Sequence, residues 1–284
     1  MNKKIAFSIL CFFLIFGSAL YSQQLKRASA TSPVSGKTLV LYDVATGTIP
    51  GKPLMNFTDF PPGAAIPTYS NKVTVLDTTT SGNNTYAGWL SNATTTTGFP
   101  ILDRAAGFQV DFTVQVDNES HTNNNRSGFS IIILSNDAKG IELAFWENEI
   151  WAQTDDTTDG LFKHGEGTIF ATTAGPINYQ VIVVNDTYTL TANAKPILAG
   201  LIRDYTKFDG FPNPYKTQNF LFLGDDTTSA QARIRLSFVS VTGTEGTTAT
   251  SPGSPAPTLN SISSASPTPA TEDSGYCPFA HYRP

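Results

Sequence analysis

Residues 106–117, AGFQVDFTVQVD, alternate without a break. Phe108, Val110, Phe112, Val114 and Val116 fall on one side; Gln109, Asp111, Thr113 and Gln115 fall on the other. A period of two puts the apolar set on one face of an extended strand, a pattern that a helix would scatter around its axis. The same kind of signal runs from about Lys37 to Gly243. RSGFSIIILS (126–135) is a continuous apolar run, as expected of a strand buried on both faces. INYQVIVVNDTYTLTANAKPILAGLI (177–202) reads as three strands joined at Asn185-Asp186 and Asn193-Ala194, the first a strong hairpin signal. NFLFLG (219–224) and ARIRLSFVSVTG (232–243) close the block. Roughly twelve to fourteen short strands at regular spacing predict an all-β fold, an antiparallel β-sandwich of jelly-roll type.

Composition agrees. Charged residues are only 14%, while Thr, Ser, Asn and Gly abound, which suits pleated sheets joined by polar turns. The net charge is −5, and no run of Lys or Arg exceeds two, so the chain carries no electrostatic footprint for nucleic acid.

Four segments are expected. Lys3 and Lys4 precede the apolar run Ile5–Leu20, followed by YSQQ, which predicts a secretory signal peptide over residues 1–22 and hence a secreted or cell-surface protein. The run is short for a membrane span, so none is expected after signal cleavage. Residues 23–36 form a linker and 37–243 the jelly-roll domain. Residues 244–284 are rich in Ser, Thr and Pro with almost no large apolar residue, which predicts a disordered tail. Cleavage would leave Cys277 as the one cysteine, excluding an internal disulfide and offering a crosslink between chains. Six N-x-S/T sequons stand against roughly four expected by chance for this composition, too few to argue for glycosylation.

The segment GIELAFWENEIWAQTDD (140–156) gathers carboxylates and tryptophans. Paired as a hairpin about Glu147-Asn148, it sets Phe145 opposite Ile150, Ala144 opposite Trp151 and Glu142 opposite Gln153. One face then collects Ile141, Leu143, Phe145, Ile150 and Ala152; the other collects Glu142, Trp146, Glu149, Trp151 and Gln153. Moving the turn by one residue would mix charge into the apolar face. Trp offers a flat apolar surface to a pyranose, and carboxylates and amides bond its hydroxyls, so these five residues are the candidate glycan-binding set. The competing expectation is a covered sheet face whose tryptophans are structural.

Glycoside cleavage needs two carboxyl groups about 5–5.5 Å or 6.5–9.5 Å apart. Glu142 and Glu149 fall near opposite ends of the hairpin, and the one pair left is Glu142 with Asp155. A polysaccharide hydrolase or lyase is therefore the alternative to a non-catalytic module, and a structural matrix protein is the third reading. His121, His164 and His281 follow no zinc-ligand spacing. Calcium is the ion that fits best: GDDTTS (224–229) supplies Asp225 and Asp226, and SNDAKG (135–140) supplies Asp137, as hard oxygen ligands on loops.

The strings LDRAAGFQVDFTVQV, NRSGFSIIILSNDAKGIELAFWENEIWAQ, INYQVIVVNDTYTLTANAKPILAGLIRDY and NFLFLGDDTTSAQARIRL resemble the bacterial choice-of-anchor Y domain family over nearly all of residues 38–242. The order of elements also resembles concanavalin A-like and laminin G-like jelly rolls. The resemblance to the choice-of-anchor family implies an exported protein from a group with differing C-terminal attachment signals, a pattern from which this chain departs, since its tail shows no recognisable anchor; it implies no established biochemical role.

Overall fold

The computed structural model describes residues 34–80, 85–155, 161–210 and 213–245. The expected signal segment, most of the expected tail, Cys277 and His281 lie outside these residues. Every described residue belongs to the first of two units, Met1–Thr247.

The described residues form fifteen strands. In chain order the first seven are β1 (Lys37–Asp43), β2 (Asn56–Phe60), β3 (Thr68–Ser70), β4 (Val73–Asp77), β5 (Tyr86–Asn92), β6 (Phe108–His121) and β7 (Ser130–Leu134). Next come β8 (Gly140–Phe145), β9 (Glu149–Gln153), β10 (His164–Ile169), β11 (Ile177–Val184) and β12 (Thr187–Ala192). The last are β13 (Lys195–Leu201), β14 (Phe220–Asp225) and β15 (Ala230–Gly243).

They make two antiparallel sheets. Sheet A runs β13-β12-β11-β6-β15-β4-β3, with β1 also pairing β15; sheet B runs β10-β9-β8-β7-β14-β5-β2. The long β15 lies against β6 along one side, while β4 and β1 share its other side, at Arg233–Leu236 and Phe238–Gly243. The two sheets face each other across the main core: Phe108, Val110, Phe112, Val114 and Val116 of sheet A against Ile131, Ile133, Ile141, Leu143, Phe145 and Ile150 of sheet B. This is the all-β antiparallel sandwich that the alternation predicts.

Local chemistry sets the turns. β8 and β9 pair Leu143 with Ala152, Ala144 with Trp151 and Phe145 with Ile150, the register that keeps the apolar set together. At the β12–β13 hairpin, Asn193 and Ala194 both have positive φ, the conformation of a tight two-residue turn whose twist matches its strands. At the β11–β12 turn only Asn185 does.

Sheet B is apolar on its outer face as well. β7 is buried at every position, with Ile131 and Ile133 in the main core and Ile132 and Leu134 in a second cluster with Phe162, Tyr205, Tyr215, Phe220 and Phe222. The connection from β13 to β14 supplies Tyr205 and Tyr215 and roofs this face. The sequence signal that could have found the roof is its aromatic content, since RDYTKFDGFPNPY carries four rings in a stretch without strand periodicity.

Leu143, fully buried between the sheets, tests the core. Leu143→Ala should lower the unfolding free energy by about 2–5 kcal/mol in denaturant melts. Ile169, 82% exposed, should tolerate Ile169→Ser with an unchanged midpoint. Equal tolerance at both positions would contradict the assignment of faces.

Candidate functional site

The five candidate residues do share the outer face of sheet B, and the structure divides them into a sealed set and a rim. Glu142 and Gln153 are 2% exposed and Trp151 is fully buried, whereas Trp146 and Glu149 are half-buried.

The rim is a cluster of four rings. His121 stacks on Trp146 with centroids 4.1 Å apart and planes 9° from parallel. His164 stacks on Trp151 at 4.3 Å, and Trp146 meets Trp151 and His164 edge-on at 5.5 and 5.0 Å. The two histidines, forty-three positions apart in sequence, come together because β6 ends and β10 begins at this corner. Each imidazole has a carboxylate: His121 Nδ1 is 3.0 Å from Glu119, and His164 Nε2 is 3.1 Å from Glu149. Trp146 Nε1 donates to the Arg126 carbonyl at 2.8 Å, while Trp151 Nε1 is buried without a partner. Gly167, opposite Trp151 in β10, lets this packing close, since a Cβ there would lie 2.5 Å from Glu149 Oε1.

The sealed set is built on Glu142. Beyond Leu143/Ala152 the β8–β9 ladder is completed by a side chain: Glu142 N donates to the Tyr205 hydroxyl at 3.3 Å, and that hydroxyl donates to the Gln153 carbonyl at 2.8 Å. Tyr215 donates its hydroxyl to Glu142 Oε2 at 2.6 Å. The charges of Asp226 and, with opposite sign, Arg126 also bear on the Glu142 carboxyl. Burial first, and then the Asp226 charge, push the Glu142 carboxyl well above the usual carboxylate range. Burial raises Asp226 as well. Tyr205 and Tyr215 are also raised, chiefly by burial and then by the Glu142 charge. Gln153 Nε2 donates to the Asn125 carbonyl at 3.1 Å; its Oε1 is buried without a partner.

The alternative pairing of Glu142 with Asp155 is not the one the structure makes. Asp155 accepts from Asp204 N at 2.8 Å and lies 3.8 Å from Arg203 Nε, engaged with the start of the roof. The expected calcium set is likewise taken apart. Among the described residues no three His, Cys, Asp or Glu side chains gather as a metal-binding group. Asp225 ends β14 and accepts from Thr78 Oγ1 at 2.7 Å toward sheet A, whereas Asp226, the next residue, lies on the side of Glu142. Asp137 sits at the other end of the sheet, in the β7–β8 turn, because β14 runs antiparallel to β7 with Phe220 opposite Leu134. There Asp137 is clamped by Arg104, which also binds Asp186.

No family model and no curated protein matches the chain, so the choice-of-anchor Y resemblance has no matching model behind it. Solved structures similar to it include the carbohydrate esterase vb_24B_21 of the Shiga toxin-encoding bacteriophage phi24B, at 10% identity and TM-score 0.45, covering 74% of this chain and all of that one. A structure of botulinum neurotoxin type C, whose cell entry is described as dependent upon interaction with two ganglioside molecules, shares 10% identity at TM-score 0.41 over 73% of this chain. Alginate lyase A1-II′ shares 13% identity at TM-score 0.37, over 62% of this chain and 82% of its own. The chain spans about half the length of the neurotoxin structure it matches (48%). At these scores the likenesses carry no argument about what the chain does.

Two outcomes are expected. Tyr205→Phe leaves Glu142 N and the Gln153 carbonyl without their shared partner and should cost about 1–3 kcal/mol in denaturant unfolding; an unchanged midpoint would refute the bridging role. Asp137 is held well below the usual carboxylate range, chiefly by its hydrogen bond from Arg104. Its folded value lies below its unfolded one, so its stabilisation is complete above about pH 4 and fades as pH falls toward the folded value. Asp137→Asn should therefore lower stability at pH 7 and flatten the loss of stability below pH ~4. Parallel pH–stability curves for the two proteins would contradict this.

Proposed function

We propose that the chain is an exported, non-catalytic β-sandwich module that binds glycan or extracellular matrix material. Its contact surface is the rim formed by His121, Trp146, His164 and Glu149. The observation that carries this reading is the ring cluster. Its imidazoles and the Glu149 carboxylate are each about one-quarter exposed (26%, 23% and 21%) and are held in fixed orientation by stacking and by carboxylate bonds. Sugar recognition needs an apolar ring surface beside a few pre-oriented donors and acceptors, and the rim offers both without ordering flexible side chains. One face of Trp146 is taken by His121, so a sugar would meet the imidazole and the indole edge.

The non-catalytic part rests on the sealed set. Glu142 is buried beneath the roof and Asp155 accepts from Asp204 N, so Glu142 is not presented to solvent as one of the two carboxyl groups that glycoside cleavage requires. Binding of the secreted protein to a glycan array and to insoluble polysaccharides tests the reading. His121→Ala and Glu149→Gln should each weaken retention about tenfold, a loss of about 1.4 kcal/mol, with near-ultraviolet circular dichroism unchanged. Failure of the wild type to retain any glycan, or equal retention by both variants, would sink the assignment. Release of reducing sugar that disappears in Glu142→Gln would replace it with the hydrolase.

A further inference from the structure

Both ring nitrogens of His164 meet hydrogen-bond acceptors. Nε2 lies 3.1 Å from Glu149 Oε1, and Nδ1 lies 3.3 Å from the Asn124 main-chain oxygen. A neutral imidazole carries one N–H and one lone pair. Either tautomer therefore satisfies one of these acceptors and turns its lone pair on the other. The imidazolium, a donor at both nitrogens, makes both bonds. The ring also lies flat on Trp151, with planes 15° from parallel, and an indole face attracts a cation held over it. His121 differs. Its Nδ1 meets Glu119 at 3.0 Å, and no acceptor among the described residues meets its Nε2, so its neutral form is satisfied.

The charged groups on the elements packed around His164 are few. β9 carries Glu149. The β6–β7 connection carries Arg126, whose guanidinium is given to the main-chain carbonyls of Asn125 and Phe162 at 2.7 and 2.6 Å. The β8–β9 turn carries Glu147, which accepts from Glu119 N, and Glu119 in turn pairs with His121. β10 itself carries Glu166, held by Tyr188 and Arg203, and Lys163 precedes the strand. Among the described residues, Glu149 is the one acid in contact with the His164 ring.

We propose that protonated His164 is a lock that makes the rim sensitive to pH. The cation ties β9 and β10 to the β6–β7 connection, and loss of one proton releases the connection. Imidazoles change charge between about pH 5 and 8. The proton that stays is the one on Nε2, because a carboxylate is a stronger acceptor than a main-chain carbonyl. The Nδ1 lone pair then faces the Asn124 oxygen. The same connection carries the Arg126 carbonyl, which holds the Trp146 indole at 2.8 Å. The rim is thus firm at low pH and loosens as pH rises. The consequence for binding rests on the glycan reading; the protonation of His164 does not.

The test uses the full secreted chain at pH 5.5 and pH 8. In long-range proton–nitrogen correlation spectra at pH 5.5, both N–H protons of His164 should be present and protected from exchange with water. His164→Gln assigns them among the three histidines of the chain. From a panel of insoluble cellulose, chitin and xylan, retention on the polymer that holds the wild type at pH 5.5 should fall about fivefold at pH 8, the effect of one lost hydrogen bond. The near-ultraviolet circular dichroism of the tryptophans should change in parallel, and His164→Gln should abolish both responses. His121→Gln should bind more weakly and keep the same ratio between the two pH values. Glu149→Gln should bind more weakly with no such ratio, because its amide N–H serves the Nε2 lone pair of a neutral ring. A single protonated nitrogen on His164 at pH 5.5, or an equal fall with pH in the wild type and His164→Gln, would overturn the proposal. Retention on no polymer at either pH defeats the glycan reading alone. The wild-type spectra then decide the lock: two protected protons and a pH-dependent tryptophan signal uphold it, and the absence of either overturns it.

Discussion

Sheet B has apolar residues on both faces, and most of what is unusual in this molecule follows from covering the second one. An antiparallel sheet with a wet outer face would alternate apolar and polar along β7; here Ile132 and Leu134 point outward and are as buried as Ile131 and Ile133. The β13–β14 connection therefore crosses this face with Tyr205, Phe208 and Tyr215, and Phe162 packs between them. Once roofed, any polar group on the face must find its partner inside the protein. The two tyrosines meet that demand as rings with a polar tip, filling the apolar layer while their hydroxyls serve Gln153 and Glu142. Glu142 and Gln153 are sealed for the same reason that the sandwich is stable.

The strands, the hairpin register and the membership of the candidate face were legible in the sequence, because each follows from a period of two over a few neighbouring residues. Ile141, Leu143, Phe145, Ile150 and Ala152 can share a face in one register only. Which face meets water was not legible, because the answer lies in residues 50 to 80 positions downstream. Nothing local to EIWAQ tells that Tyr205 will insert its hydroxyl beside Gln153, or that His164 will lie flat on Trp151. The same limit explains the acidic loop. GDD looks like one cluster of ligands, but the alternation at the end of β14 sends Asp225 toward Thr78 and Asp226 toward Glu142. Asp137 looks equally available and is spent on Arg104, whose sequence position gives no hint of the contact.

Rim and sealed set share one wall, the β6–β7 connection. The Arg126 carbonyl fixes the Trp146 indole, and its guanidinium holds the Phe162 carbonyl under the roof. The Asn125 carbonyl accepts from Gln153, and its side chain accepts from His164 N at 2.9 Å. Asn124 O lies 3.3 Å from His164 Nδ1. Few of these bonds are internal to the connection. Nearly all reach out to β8, β9, β10 or the segment before β10, so the loop is positioned by the strands it touches more than by its own turn chemistry. Moving Asn125 one ångström away from these strands would take both bonds, now 3.1 and 2.9 Å, beyond hydrogen-bonding length and loosen Gln153 and His164 together. The surface that presents rings to solvent and the buried site of Gln153 are thus set by the same backbone. The geometry of one cannot be altered at Asn125 without altering the other.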